Sequence, residues 1–463
     1  MTNDMSVKLF KSWKNTAGSI NTLESILDWI EQRRESTHVC VRECSISESA
    51  FWFYDDYNGE ILNRRRGFFS VKGMRMFLDD TFIKEQPIII QPEIGYLGII
   101  CKEINGVLNF LMQAKIEPGN VNAIQISPTI QATKSNFMRV HGGKLPYYFS
   151  YFENASNYNI IYDSIQSEQS TRFYKKQNRN IVIEVNEELN VEPNYCWMTL
   201  GQIKSLLKID NLVNMDTRTV LSGLPFTAMA EEENQAVQEI IGNDRLYNSM
   251  YQSDGLQNYT KLKYYLNNFR MFHDLKVKEV PLNELVDWHV DANGSVSCKK
   301  EANFAVKFYD IQIEGREVYS WNQPLFKANG QAVFGLMYCD IDDKRWFLVS
   351  ARTEIGTINT IEVAPTIQKE ATDKKIENTV ERLFFEKLEK KWGGVETDVI
   401  LSEEGGRFYH EQNRNVIMKV EMCEMDELPE GYFWVDFSTL VSMMQMNNFL
   451  NIQLRNLLFL IDL

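Results

Sequence analysis

Glu117, Lys115 and His141 are the residues of this 463-residue chain best suited to moving protons. A carboxylate and an imidazole serve as general base and general acid near neutral pH, and a lysine beside them supplies positive charge to a developing oxyanion. All three lie in one polar stretch, where AKIEPGNVNAIQISPTIQ (114–131) runs into ATKSNFMRVHGG (132–143). Gln131, Lys134, Asn136 and Arg139 add amide and cationic donors there. Plainer readings stand beside these: Glu117 as the salt-bridge partner of Lys115, and His141 as a loop histidine next to Gly142 and Gly143.

A second constellation is written twice. RFYKKQNRN (172–180) offers Arg172, Tyr174, Gln177, Asn178, Arg179 and Asn180; RFYHEQNRN (407–415) offers Arg407, Tyr409, Gln412, Asn413, Arg414 and Asn415. Guanidinium groups grip anions in bidentate fashion, while amides and an aromatic face suit a planar ring. The alternative is a turn whose Asn and Arg side chains tie down their own backbone.

Such residues need elements to hold them, and those elements repeat along the whole chain. VREC at Val41 answers VKEV at Val277, and Trp52 answers Trp288. AKIEPGNVNAIQISPTIQ answers ARTEIGTINTIEVAPTIQ (351–368), and late in each copy Trp197 answers Trp434 and Asn211 answers Asn448. A nearly constant register means two tandem copies of one domain. The expected division is a partly ordered lead-in (1–20), a first repeat (21–221), a linker helix region (222–255) and a second repeat (256–463). Each copy reads as mixed α/β of the α+β type. VLNFLMQAKIE and RWFLVSARTE are strand-like, IVIEV and VIMKV are short buried strands following the repeated phrases, and Thr199 with Gln202 is placed as a capping box. After the shared PTIQ the copies diverge. The first continues into the donor-rich stretch above, the second into KEATDKKIENTV, which reads as a solvated charged helix. The acid–base chemistry is therefore expected in the first copy.

Composition narrows the partners. Forty-four per cent hydrophobic and 24% charged residues describe a globular chain with room for two domains. A net charge of −14 argues against a general nucleic-acid surface, which needs a basic stripe, but not against a local anion site. No apolar run reaches the roughly 18 residues of a membrane span, and MTNDMSVKLFKSW lacks the apolar core of a signal peptide. Seven cysteines without a CxxC pair fit a reduced, cytoplasmic protein. His38, Cys40 and Cys44 lie close together, but no second ligand pair follows at zinc spacing, so no metal is assigned.

QPEIGYLGIICKEINGVLNFLMQAKIEPGNVN, QISPTIQATKSNFMRVHGGK, SEQSTRFYKKQNRN and DNLVNMDTRTVLS together resemble the NDP-hexose 2,3-dehydratase family, across residues 20–463. The resemblance implies a tandem pair of Nudix-like domains assembled as a homodimer. The substrate it implies is dTDP-4-keto-6-deoxy-D-glucose, in routes to 2,6-dideoxy sugars. The chain departs from the family pattern at Asn63, where a histidine is expected, and at Ser170, where the second copy has Gly405. It also lacks a complete Nudix box, the Gly/Arg/Glu array that holds magnesium in the hydrolases.

The implied reaction can be judged physically. The 4-keto group acidifies the C3 proton, and the C2 hydroxyl is then a β leaving group. Elimination needs a base at C3, donors at the C4 oxygen and an acid near the C2 oxygen. The substrate's ketone is the electron sink, so no cofactor is expected. The enol formed tautomerises to a 3,4-diketo sugar, which a separate 3-ketoreductase would have to capture. For that reaction Glu117 and His141 are the candidate base and acid, with Lys115 beside them, because only the first copy continues from PTIQ into the donor-rich stretch. The two phrases would hold diphosphate and thymine, one in a productive pocket and the other in a vestigial or regulatory one. The alternative is a catalytically silent nucleotide-sugar-binding protein with two pockets.

Overall fold

The computed structural model describes residues 5–137, 145–227, 234–252, 256–314, 318–390, 393–425 and 427–462. The fold is α+β, and each repeat carries a mixed sheet. In the first, the order is Asn159–Ser167, Gln177–Glu184, Ile94–Ile104, Val107–Ile116, Tyr195–Thr199, with Ile124–Ser127 attached to the fourth strand and Ile130–Ala132 to the third. Val395–Ser402, Gln412–Lys419, Val333–Ile341, Lys344–Arg352 and Tyr432–Asp436 reproduce that order in the second. The parallel pair is Gln177–Glu184 on Ile94–Ile104, and its counterpart is Gln412–Lys419 on Val333–Ile341. These strands are apolar on both faces because both are covered. Ile181 and Ile183 pack with Phe149 and Phe152, while Val182 faces a larger core. That core holds Leu97 and Val182 of the first repeat together with Leu336 and Ile417 of the second. The repeats therefore share one apolar interior.

The remaining two sheets are built by reciprocal exchange. Val39–Cys44, the first strand of repeat one, pairs antiparallel with Phe304–Ile313 of repeat two, from Val39↔Ile313 to Cys44↔Phe308. Leu275–Val280, the first strand of repeat two, pairs with Ser70–Leu78 of repeat one, from Leu275↔Leu78 to Val280↔Gly73. The sequence demands no sheet common to both copies, and the structure makes two. VREC and VKEV carry the same short alternation, so either strand satisfies either edge, and register alone cannot choose between them.

Several local expectations meet the structure differently. Residues 5–14, inside the expected lead-in, form a helix that buries Leu9, Phe10 and Trp13 and ties Ser12 Oγ to the Leu108 carbonyl at 2.6 Å. The capping box forms at Thr199 and Gln202, with both of its reciprocal hydrogen bonds made. Gln177–Asn180 and Gln412–Asn415 lie within strands rather than before them, because pairing already begins at Gln177↔Ile94 and, in the second copy, at Ser402↔Gln412. KEATDKKIENTV becomes helical only from Thr379. Its start is not solvated: Lys369 is buried and paired with Glu381 at 3.0 Å, and Asn378 Oδ1 accepts from the Glu381 amide at 2.9 Å. The expected linker helix region holds two helices, Asn234–Ile241 and Asp244–Tyr251, and a third, Leu256–Phe272, opens the expected second repeat. Among the described residues no helix is long and apolar enough to cross a membrane.

Candidate active site

A cavity of about 440 Å3 opens where the first repeat's mixed sheet meets residues of the second repeat. Lys115, Glu117, Gln131, Glu168, Lys176, Asn178 and Asp216 line it from the first repeat, and Glu404, Gly406 and Arg407 from the second. Phe51, Trp52, Phe68, Tyr96 and Trp321 give it an aromatic rim.

Alternation along Val107–Ile116 turns Lys115 and the following Glu117 to the same side. The chain then turns at Gly119, whose amide donates to the Gly405 carbonyl at 2.7 Å and whose carbonyl accepts from the His410 amide at 2.9 Å. A Cβ on Gly119 would collide with the Phe408 carbonyl, so only glycine lets these backbones meet. This junction brings Glu117 of one repeat against the Glu404–Arg407 loop of the other.

Glu117 is buried, and a relay holds it. Asn214 Nδ2 donates to Gln131 Oε1 at 3.2 Å, and Gln131 Nε2 donates to Glu117 Oε1 at 2.9 Å. Glu117 Oε2 is buried with no hydrogen-bond partner. Lys115 Nζ donates to the Gln131 carbonyl at 2.9 Å. Burial, and after it the Glu117 charge, pushes the Glu404 carboxyl up to about 8. Burial, with Glu168, Glu404 and Glu117 nearby, raises Asp216 well above the usual carboxylate range. Burial also lowers Lys176. The cavity thus holds two carboxyl groups raised by burial, Glu404 and Asp216, beside a buried carboxyl group that presents an unpartnered oxygen.

The related centre of the second repeat has the same frame and different contents. Asn451 donates to Gln368 at 2.8 Å, and Gln368 donates to Glu354 at 2.5 Å, copying the relay. There, however, Arg172 Nη2 reaches half-buried Glu370 at 3.1 Å and buried Glu411 at 3.8 Å, filling the space with ion pairs. Burial works against the Glu370 charge, but Arg172 and Lys84 outweigh it and hold that carboxyl below its ordinary range. Thr133 and Lys176 stand in the first repeat where Glu370 and Glu411 stand in the second.

The structure distributes the residues singled out in the sequence unevenly. Lys115, Glu117, Gln131, Asn178 and Arg407 line the cavity. Arg407 stacks over Phe69 at 4.3 Å and donates to Gln91 Oε1 at 3.1 Å. Arg172 belongs to the filled centre. Arg179 is committed to Asp163 at 2.7 Å and to the Tyr96 hydroxyl at 2.9 Å, and Arg414 to Asp398 at 2.8 Å, each across an outer strand pair. Tyr174 packs beside Ile355, and Tyr409 stacks on Tyr309 at 4.3 Å. Gln177 and Gln412 open their strands, with Gln412 accepting from Asn211 at 2.9 Å. Asn413 donates to Glu403 at 2.8 Å, Asn415 donates to the Asn413 carbonyl, and Asn180 is buried. Lys134 is exposed at the start of the short helix Lys134–Phe137, which also contains Asn136. Arg139 and His141 lie outside the described residues. Asn63, the departure from the family pattern, is on the cavity wall. Sequence reasoning missed Glu168, Lys176, Asp216 and Glu404. For two of them a signal existed: Asp216 answers Gln453 and Glu404 answers Gln169, carboxyl against amide.

A family model described as NDP-hexose 2,3-dehydratase matches the chain twice, over residues 23–224 and 259–461. The chain belongs to the NDP-hexose 2,3-dehydratase family. A dTDP-4-dehydro-6-deoxy-alpha-D-glucopyranose 2,3-dehydratase of Saccharopolyspora spinosa is 35% identical over 433 residues, 93% of this chain and 89% of that protein. Proteins of the same name from Streptomyces violaceoruber and Amycolatopsis orientalis are 33% and 31% identical. Those matches cover 93% and 99% of this chain, and 95% and 94% of the relatives. Each half of the family match carries one relay, Asn214–Gln131–Glu117 or Asn451–Gln368–Glu354.

Proposed function

We propose that the chain removes water across C2 and C3 of dTDP-4-keto-6-deoxy-D-glucose, a carbon–oxygen lyase reaction giving a 3,4-diketo-2,6-dideoxy sugar nucleotide. The names and near full-length similarity of the relatives support the substrate. The observation that carries the chemistry is Glu117: buried, oriented by Gln131, with Oε2 unpartnered in a cavity beside Lys115. Glu117 takes the C3 proton, and the bonding pair moves to the C4 oxygen. Lys115 stabilises the charge that develops there. The pair then returns to form the C2–C3 double bond as the C2–O bond breaks, and the enol tautomerises. The sequence assigns the proton for the leaving oxygen to His141.

Arg407, between the aromatic rings Phe68 and Phe69 and the cavity, is suited to the diphosphate, and the rim of Trp52, Tyr96 and Trp321 to the thymine. Nudix-like ancestry and a homodimer belong to the same reading. The reactive diketone implies a hydride-donating 3-ketoreductase as the next step. Incubation with dTDP-4-keto-6-deoxyglucose, followed by mass spectrometry, should show a nucleotide sugar lighter by one water, or free dTDP after its breakdown. Recovery of intact substrate would leave the silent binding protein as the better reading.

A further inference from the structure

We propose that Glu404, supplied by the second repeat, is the proton donor to the departing C2 hydroxyl. The inference rests on the dehydratase reading and names the group that completes it. Three observations carry it.

The first is position. A Cβ on Gly406 would collide with Glu404 Oε1 and stand 3.5 Å from Glu117 Oε1. The two carboxyl groups therefore share one space, within the about 6 Å over which one charge alters another's proton affinity. An acid and a base facing the same cavity from different repeats can serve two adjacent carbons of one sugar.

The second is the contrast between copies. At the filled centre Gln169 stands in place of Glu404 and Thr171 in place of Gly406. The relay and the pair formed by Glu168 with Asn178 recur there as Glu354–Gln368 and Glu403–Asn413. The frame recurs at both centres; the Glu404 carboxyl and the glycine that makes room for it belong to the cavity alone.

The third is the surrounding charge. Glu404 is surrounded by Glu117, Glu168, Arg407 and Lys115, and it keeps its proton near neutrality through burial first and the Glu117 charge second. Glu168 is engaged by Asn178 at 2.6 Å, and Asp216 is buried more deeply, which leaves Glu404 the acid best placed to reach a ligand.

The step balances. Glu117 gains the C3 proton, the electron pair passes through the C4 enolate into the C2–C3 double bond, and the C2–O pair leaves with the proton of Glu404 as water. Tautomerisation and exchange with solvent restore both carboxyl groups.

The test follows the reaction in D2O with the full chain. Glu404→Gln should lower dehydration at least about a hundredfold while deuterium still enters C3 of the unreacted sugar, and dTDP affinity should stay within about twofold. Glu404→Asp should recover part of the rate, and the fall in wild-type rate above about pH 8 should be missing from the residual rate of the Gln variant. Dehydration by Glu404→Gln within about threefold of wild type would overturn the proposal. So would joint loss of exchange and elimination. A His141→Asn variant that exchanges C3 without eliminating, beside an active Glu404→Gln, would move the donor to His141. If the unmutated chain neither exchanges C3 nor eliminates, the dehydratase reading fails first, and that outcome is separate from the others.

Discussion

Arg172 and Glu370 close to 3.1 Å in the second repeat's centre, at positions whose counterparts, Arg407 and Thr133, both line the open cavity. One duplicated frame has thus produced a filled centre and an accessible one. The difference is made by two carboxylates, Glu370 and Glu411, standing where the open cavity has Thr133 and Lys176.

The two arginines should therefore fail in opposite ways. Arg407→Ala should weaken dTDP binding about ten- to a hundredfold with a small stability change, as loss of a charge-assisted contact of about 1.5–3 kcal/mol implies. Arg172→Ala should cost about 3–5 kcal/mol of stability, because it leaves buried Glu411 and half-buried Glu370 without their cation. Calorimetric titration and thermal unfolding of both variants check this; equal binding losses would place ligand in both centres.

Glu117→Gln should remove most turnover, together with C3 exchange, while keeping nucleotide-sugar affinity. Glu354→Gln should be comparatively mild toward turnover, since its relay borders the filled centre. Steady-state rates and proton exchange at C3 read the difference. Greater damage at Glu354 would place the chemistry in the other half.

Arg179→Ala and Arg414→Ala should each cost about 1 kcal/mol or less, because their pairs with Asp163 and Asp398 are partly exposed. Neither should change dTDP affinity. A tenfold loss of affinity in either variant would mean that the guanidinium leaves its aspartate to hold ligand.

These contrasts show what the sequence can and cannot disclose. That Glu117, Lys115 and Gln131 share one cavity wall was legible because the duplicated PTIQ block aligns them with Glu354, Arg352 and Gln368 and then diverges. The cap at Thr199 was legible because it is local. The exchanged strands were not, since VREC and VKEV fit either edge. Arg179 looked like an anion ligand because its partner Asp163 lies on a neighbouring strand, outside the phrase. Glu404 was hidden beside that phrase, its meaning fixed only when folding brings Glu117 against it.

The pH dependence of stability should bear the mark of Glu404. Its carboxyl is raised in the folded state to about 8, above the ordinary glutamate value of about 4.3. The folded state then binds the proton more tightly than the unfolded chain. The resulting stabilisation is complete below the unfolded value and is lost as pH rises through the folded one. Glu404→Gln should accordingly unfold at a higher temperature than wild type at pH 9, with the gap narrowing toward pH 5. A constant gap would show that Glu404 ionises normally.

The most direct measurement is the reaction of the unmutated chain with dTDP-4-keto-6-deoxyglucose in D2O after treatment with EDTA, followed by mass spectrometry and proton NMR. The result predicted here is loss of one water and deuterium bound to carbon at C2 of the product, with no added metal or nicotinamide. Unchanged substrate, or water loss that returns only with added magnesium, would contradict it.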